Sequence, residues 1–493
     1  MSKAPRVVVI GAGMGGLAAA IELAASGCKL TLLEQAAVPG GKMRELASGG
    51  VSIDSGPTVF TMRWVFDALL ASAGTSLEDE LTLHRAARLA RHVWTDGARL
   101  DLFSDVDASV AAIAAFAGAD EAAAYRRFAR DSGRIYATLL DTFMRRERPG
   151  PLGLSLALGL KGLPRLYATR PFRSLWNELG RYFRDRRLRQ LFARYATYCG
   201  SSPFAAPATL MLIAHVEREG VHYVDGGMQR LAECLDRVAR RAGAELRYET
   251  AAAELRVRNG RVTGVVTGGG DCIEADAVVF NGDAQALTRG TLGDAACAAL
   301  PRRRGEPRSL SALTWSVEAD VDGFSLDHHT VFFGEDYPAE FAALFSQNSI
   351  CASPTTYVCA QDRGDESAVP NGAERLFVLA NAPPQALSEA ALLDAQNNVE
   401  RLLGRAGLTI DLGAANARRF SPADFAARFP ESDGAIYGWP THGMFGSFRR
   451  SGSRSKLEGL YLAGGSVHPG PGVPMAALSG RIAADAVRKD LDF

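Results

Sequence analysis

The sequence predicts an α/β fold, a parallel sheet flanked by helices, with a second, α+β unit inserted into it. Three observations predict it. The chain opens with a β-branched run that passes through a glycine-rich turn into an alanine-rich helix, and it closes with an apolar run that passes through glycines into a helix of small residues. Its 493 residues exceed the length of about 250–300 at which a single core stops growing, so two structural parts are expected.

The first element, Arg6-Val7-Val8-Val9-Ile10, has the composition of a strand buried on both faces. Gly11-Ala12-Gly13-Met14-Gly15-Gly16 follows, and residues 17–24 are helical by composition and period. Gly27 ends that helix, and Lys29-Leu30-Thr31-Leu32-Leu33 forms a second strand ending at Glu34. Gly11 permits the tight turn, Gly13 lets backbone approach a pyrophosphate, and Gly16 lets the helix pack on the strand. The helix N-terminus then offers unpaired N–H groups and the positive end of its dipole to phosphates. Glu34 stands near the spacing of about 20 residues at which a carboxylate meets ribose hydroxyls, and its charge argues against a 2′-phosphate there. Glycine-rich turns alone arise for purely structural reasons. Strand, turn, helix, strand and terminal Glu in that order make this a Rossmann-type dinucleotide site.

A second glycine pair followed by a cation, Gly40-Gly41-Lys42, suits a longer cofactor. Backbone passes close to its diphosphate and ribityl chain, and Lys42 can add a charge-assisted hydrogen bond of about 1.5–3 kcal/mol. At the other end, Leu460-Tyr461-Leu462-Ala463-Gly464-Gly465-Ser466 reads as a buried strand running into glycines. Val467-His468-Pro469-Gly470-Pro471-Gly472-Val473-Pro474-Met475 and a helix at 476–487 come next, repeating the approach of backbone to a ligand at a helix N-terminus. Together these segments resemble the FAD-binding signature of the amine oxidase and phytoene desaturase superfamily. The resemblance implies non-covalent FAD in a glutathione reductase/amine oxidase-like Rossmann domain, held by Gly11, Gly13, Gly15, Gly16, Glu34, Gly40, Gly41, Lys42, Gly464, Gly465, Val473, Pro474 and Met475. Many superfamily members carry Arg where Lys42 stands, and some carry Asp near Gly465. A lysine cannot supply the bidentate fork of an arginine.

Between the ends, Tyr223-Val224-Asp225-Gly226-Gly227-Met228 opens an amphipathic helix through Leu231, Leu235 and Val238. Strands are expected at 245–248, 254–257, 261–266 and 275–282, with Asn259-Gly260 as a hairpin turn. In the resembled superfamily this block returns to the FAD domain, and the segment around Ala252 passes the adenine by its backbone. A discontinuous FAD domain is therefore implied at 1–75, 215–290 and 435–493, with a substrate domain at 76–214 and 291–434 and a helical lid at about 145–194. Gly268-Gly269-Gly270 lacks the strand–glycine–helix context and reads as a loop. Without a second dinucleotide fingerprint, the flavin is expected to pass its electrons to oxygen or a quinone.

Ile53-Asp54-Ser55-Gly56-Pro57-Thr58-Val59-Phe60-Thr61-Met62-Arg63-Trp64-Val65-Phe66, with 434–438 and 464–474, resembles the bacterial carotenoid desaturases, particularly the 1-hydroxycarotenoid 3,4-desaturases. The likeness runs essentially end to end. It implies an FAD-dependent oxidoreductase acting on CH–CH groups, with Gly56, Pro57 and Thr58 at the cofactor and a carotenoid as substrate. A hydride leaves a C–C bond beside the polyene for the flavin, a proton leaves the neighbouring carbon, and the intervening cation is spread over the conjugated chain. The protein then mainly aligns the bond and excludes competing reactions, and a strong base is not required. His468, in the flavin-proximal loop, either accepts a proton or is a hydrogen-bonded loop histidine. Arg63 and Trp64 either line a substrate tunnel or begin an ordinary helix. Other uses of the architecture stay open: phytoene desaturase or carotenoid isomerase, amine or protoporphyrinogen oxidase, and a non-catalytic prenyl-lipid carrier of the GDP-dissociation-inhibitor kind. An aromatic pair flanking the flavin would favour amine oxidation, and Gly438-Trp439 is a weak hint of one. The intact Gly40-Gly41-Lys42 speaks against the carrier.

Composition narrows the partners. An apolar fraction of 47% with 22% charged residues is that of a soluble globular chain. Lys plus Arg equals Asp plus Glu at 55 each, so no global charge recruits nucleic acid. Locally the balance breaks. Cations run from Arg145 to Arg194, opposed only by Glu147, Glu178 and Asp185, with Leu152, Leu154, Leu156, Leu158, Leu160, Phe172, Leu175 and Trp176 among them. Such a stretch suits a peripheral membrane contact, where each cation adds about 1 kcal/mol, or an Arg-rich lid with solvated charge. A polyene dissolves in the bilayer and not in water, which gives docking a purpose. Seven cysteines without a Cys-x-x-Cys pair read as reduced thiols, with no metal site or disulfide framework. Lys3 and Arg6 precede an apolar run as in a signal peptide, but four glycines and Glu22 interrupt it. No run approaches the roughly 18–20 charge-free apolar residues of a spanning helix. A cytoplasmic, peripherally membrane-associated protein is expected.

Overall fold

The computed structural model describes residues 4–493 except 151–152, 154–162, 304, 365–369 and 371. Five parallel strands form its first sheet, in the spatial order Leu460–Leu462, Ala277–Phe280, Arg6–Ile10, Lys29–Leu33 and Glu245–Arg247. Val7, Val8 and Val9 are buried, as a β-branched run in the middle of a parallel sheet must be. Arg6–Ile10 and Leu460–Leu462 pair with opposite edges of Ala277–Phe280, so segments from the two ends of the chain meet in one sheet.

Two helices seal this meeting. Met14–Ala25 packs along Val473–Leu491 so closely that a Cβ on Gly480 would stand 2.0 Å from the carbonyl oxygen of Gly15. Glu22 is buried between them, accepting from Arg481 Nε at 2.7 Å and lying 3.5 Å from Arg488 Nη1. The acidic residue that interrupts the alanine-rich run is thus the ion-pair partner of the C-terminal helix.

Ala252–Arg258, Arg261–Thr267 and Cys272–Glu274 make a three-stranded antiparallel sheet. Asn259 and Gly260 form its first turn at φ 53° and 76°, the left-handed pair that a two-residue hairpin demands. Gly268-Gly269-Gly270 lies in the second turn. A larger sheet has seven strands, in the order Arg418–Phe420, Ser311–Ala319, Glu374–Ala382, Thr356–Ala360, His329–Phe333, Arg88–Trp94 and Arg99–Phe103. Only His329–Phe333 and Arg88–Trp94 run parallel in it. The helix Glu389–Arg405 buries Leu392, Ala395, Val399, Leu402 and Leu403, one helical stripe, in the core that contains Trp315 and Val378.

The arginine-rich stretch is less free than its composition implies. Leu152, Leu154, Leu156, Leu158, Leu160 and Lys161 lie outside the described residues. Leu175 is buried, and Trp176 packs 5.0 Å from the Phe204 ring with Arg189 stacked over it at 4.5 Å. Buried Glu178 draws in Arg170, Arg173 and Arg181. Tyr167 and Phe172, 74% and 65% exposed, remain at the surface. No helix among the described residues is long and apolar enough to cross a membrane.

Candidate active site

A cavity of about 960 Å³ opens where Ile10, Leu33 and Phe280 end their strands, and it reaches Val331, Phe377 and Leu379 of the seven-stranded sheet. The carboxyl edge of a parallel sheet is where open α/β folds bind ligands. Gly11, Gly13, Gly15, Glu34, Gly40, Gly41 and Lys42 line it from the first segment, and Gly56, Pro57 and Thr58 from the next loop. Ala252 lines it too, as do Gly464, Gly465, Val473, Pro474 and Met475 from the C-terminal segment. Gly16 does not. A Cβ there would meet the Gly11 carbonyl oxygen at 1.9 Å, so its bareness closes the helix onto the turn.

Asn281 accounts for three of the other glycines. It follows the strand Ala277–Phe280, and its Nδ2 donates to the Gly11 carbonyl at 3.2 Å. A Cβ on Gly13, Gly15 or Gly464 would stand 2.8, 2.7 or 2.8 Å from its side chain. One amide therefore sits between both glycine-rich ends. Sequence reasoning treated Asn281 only as part of a strand; the signal was a polar residue placed directly after four buried apolar ones.

The helix Met14–Ala25 begins at Gly13 with no side-chain cap and no acidic residue in its first turn, which leaves its first N–H groups for an anion. Glu34 accepts from the backbone N–H groups of Ala12 and Ala36 at 2.7 and 2.8 Å. Lys42 Nζ donates to the Ile436 carbonyl at 2.6 Å, and burial depresses its pKa to about 8. Arg44 is buried with Phe420 4.2 Å beneath its guanidinium, and its Nε and Nη2 have no hydrogen-bond partner among the described residues. Lys42, Arg44, Arg194, Arg428 and Arg450 line the cavity against Glu34, Glu217 and Asp283. Surplus positive charge, orphaned donors and an open helix N-terminus fit a dinucleotide diphosphate.

Arg450 was not foreseen. It is buried and donates from Nη1 to the carbonyls of Tyr437 and Gly465 at 3.0 and 3.1 Å, and from Nη2 to that of Trp439 at 2.7 Å. It thus clips residues 437–439 onto the C-terminal glycine loop. Also unforeseen is a polar group on the helical wall. Glu217 accepts from Tyr195 Oη at 2.6 Å and Tyr198 Oη at 2.7 Å, and Arg194 Nη2 donates to Tyr198 Oη at 2.9 Å. Leu139, Phe143, Leu210, Ile213 and Val216 line the same cavity.

The geometry bears on three residues whose roles the sequence leaves open. His468 does not line the cavity; its Nε2–H is shared between the carbonyls of Phe143 and Arg146 at 3.0 and 2.9 Å, and burial lowers its pKa to about 4. This is the geometry of a hydrogen-bonded loop histidine. Arg63 precedes the helix Trp64–Ser72 and pairs with Asp67 and Glu78. Trp64 donates to Tyr136 Oη at 3.1 Å beneath Arg145. Neither lines the cavity; both belong to an ordinary helix start.

The family pattern described as flavin containing amine oxidoreductase matches residues 14–488. The chain is 48% identical to hydroxyneurosporene desaturase of Rubrivivax gelatinosus, over 99% of this chain and 94% of the relative. It is 46% identical to hydroxyneurosporene desaturase of Cereibacter sphaeroides, over 99% and 98%. A solved putrescine oxidase variant shares the fold with a TM-score of 0.62 at 14% identity, covering 98% of this chain and 99% of that one. With a Rossmann-type sheet, a diphosphate-compatible cradle and these relatives, the chain belongs to the flavin-containing amine oxidoreductase family, among its carotenoid desaturases, and its cofactor is FAD.

Proposed function

We propose that the protein introduces a carbon–carbon double bond beside the polyene of a 1-hydroxycarotenoid, at the 3,4 position. The observation that carries this reading is a cavity whose glycine-lined, cationic end continues into an apolar chamber walled by Phe143, Leu210, Ile213, Val331 and Leu379. The near-identical length and high identity of relatives named hydroxyneurosporene desaturase support the substrate class. FAD, when bound, supplies the two-electron acceptor.

The chain's own residues position and exclude. Gly11, Gly13, Gly15, Gly40, Gly41, Gly464 and Gly465 admit the cofactor's diphosphate to backbone, and Lys42 and Arg44 neutralise it. Glu34 and Ala252 would hold its ribose and adenine, and Gly56, Pro57, Thr58, Val473, Pro474 and Met475 would hold the flavin end. The apolar wall aligns the polyene and keeps water from the charge that develops along it. No base is assigned, because His468 is turned away and neutral. The division into a discontinuous FAD domain (1–75, 215–290, 435–493) and a substrate domain (76–214, 291–434) follows from the same reading. We further assign oxygen or a quinone as electron acceptor and a membrane surface as the place of work. Amine oxidation is disfavoured by Trp439, which is buried between Arg303 and Arg308 and does not line the cavity.

The test is to give FAD-loaded protein on liposomes 1-hydroxyneurosporene, neurosporene and phytoene separately and to follow the absorption spectrum. The hydroxylated substrate should shift to the red fastest. A response to phytoene alone would overturn the assignment of substrate.

A further inference from the structure

We propose that Arg194, Tyr198 and Glu217 form a subsite for the substrate's hydroxyl group and so set the enzyme's choice between hydroxylated and unhydroxylated polyenes. The inference rests on the substrate class proposed above and goes beyond it by naming the residues that read the alcohol.

The starting point is a mismatch of polarity. A carotenoid hydrocarbon offers no hydrogen bond, yet the helical wall of the cavity holds a guanidinium, a carboxylate and a phenol among leucine, isoleucine, valine and phenylalanine side chains. Other charged residues lining the cavity, Glu34, Lys42, Arg44, Asp283, Arg428 and Arg450, belong to the glycine-rich segments, to loops, or, for Arg428, to the end of the helix Pro422–Arg428. Arg194 and Glu217 come from none of these, but from a 3-10 turn at Arg194–Cys199 and the helix Leu212–Glu219. Burying charge against hydrocarbon costs several kcal/mol per ion unless partners replace the lost water. The cluster is paired within itself but not saturated. Glu217 is satisfied by two phenols, whereas Arg194 Nε is buried with no hydrogen-bond partner among the described residues. An alcohol both donates and accepts, so it can take a guanidinium N–H while giving its own proton to Tyr198 Oη or Glu217. A plain hydrocarbon would leave that donor orphaned.

Position agrees with the chemistry of the proposed reaction. A hydroxyl on C1 lies only about 3–5 Å from the C3–C4 bond, given C–C bonds of about 1.5 Å, so whatever grips the oxygen also fixes the reacting bond. Tyr437 lines the same cavity, and Arg450 ties its carbonyl to the C-terminal glycine loop. Tyr357 lines it too and is hydrogen-bonded at 2.7 Å to Thr58. The polar cluster therefore shares one cavity with the two loops assigned to the cofactor, as gripping an alcohol next to the reacting bond requires. Tyr337 Oη is a rival anchor, a buried phenol on the cavity wall with no partner among the described residues.

The test compares kcat/KM for 1-hydroxyneurosporene and neurosporene in the FAD-loaded wild type and in R194M, Y198F and Y337F, with flavin content measured for each. A site built to bond a hydroxyl rejects the analogue that lacks it by on the order of 10²-fold or more. That ratio should fall at least tenfold in R194M and severalfold in Y198F, and should hold in Y337F. A residue with a purely structural role would lower both substrates together and leave the ratio alone. If R194M does not retain FAD, Y198F, which removes one oxygen, decides. Discrimination that survives in R194M and Y198F, or is lost in Y337F instead, overturns the subsite and leaves the substrate class standing. A wild type that does not discriminate overturns both.

Discussion

Lys42 carries its proton against the cost of burial, which sets its pKa at about 8 where 10.5 is ordinary. Between those values the unfolded chain holds the proton and the folded chain does not, so this lysine makes stability rise with pH across that window. A bound diphosphate favours the charged form. Binding FAD therefore takes up a proton above pH 8, and affinity should fall by up to about tenfold per pH unit there. Titrating apoprotein with FAD by fluorescence from pH 7 to 9 checks this. K42R should show no such fall, because a guanidinium keeps its proton throughout; an equally flat wild type would remove Lys42 from the diphosphate. At this scale the sequence was legible where chemistry is local. A glycine before a helix or a glutamate after a strand declares its use within a few residues. Asn281, Arg450 and Arg194 do not, since the groups they serve arrive from segments remote in the chain: Gly11 from 270 residues before Asn281, for example. His468 stays ambiguous in sequence for the same reason. Its neighbours in sequence line the cavity, but the carbonyls of Phe143 and Arg146, more than 300 residues earlier, hold its ring.

Among elements, strands and helices followed their periods, and the small misfits have causes. Residues 275–282 were expected as one strand, but Ala277–Phe280 is shorter because Asn281 and Gly282 leave the ladder for the cavity wall. The last helix begins at Val473, earlier than its small-residue run, because proline is tolerated in a first turn whose N–H groups are unpaired anyway. Packing between elements was not legible at all. Gly480 reads as a weak point in a helix, yet it is where the C-terminal helix touches Gly15. G480A should cost about 1–3 kcal/mol through overpacking and weaken FAD binding by pushing the first helix off its turn. Gly404, in the helix Glu389–Arg405 with nothing within 4 Å of its missing Cβ, supplies the contrast: G404A should gain about 0.5–1 kcal/mol. Thermal unfolding and flavin titration of the two variants test the pair. Equal midpoints would mean that the terminal helices are not in the close contact described.

At the scale of the whole molecule, both ends of the chain and residues within 252–283 line the cofactor cradle, while the helical wall and the seven-stranded sheet line the chamber. For the membrane docking proposed above, the exposed rings of Tyr167 and Phe172, 6.2 Å apart, are the apolar contact to test. Their segment is tied to the cavity wall, since Thr209, a lining residue, donates to the Thr169 carbonyl at 2.8 Å. In the same run Arg165, Arg184 and Arg186 are exposed and form no ion pair among the described residues, whereas Arg187 is held by Asp185 and Arg189 by Trp176. Arg146 and Arg148 are exposed without an ion pair too, but backbone carbonyls hold them, which leaves Arg165, Arg184 and Arg186 as the docking cations to test; composition could not make that distinction. Each cation near an anionic surface contributes about 1 kcal/mol, so replacing all three should weaken binding on the order of 10²-fold. Added salt should weaken the wild type in the same direction, as screening requires. Flotation with vesicles containing anionic lipid reads both effects. Y167S with F172S should lose membrane binding even at low salt, because the rings bury apolar area that screening does not touch. R187Q with R189Q should float like the wild type. If that pair is lost from the vesicles while the Tyr167 and Phe172 variant still floats, lipid meets the protein on another face.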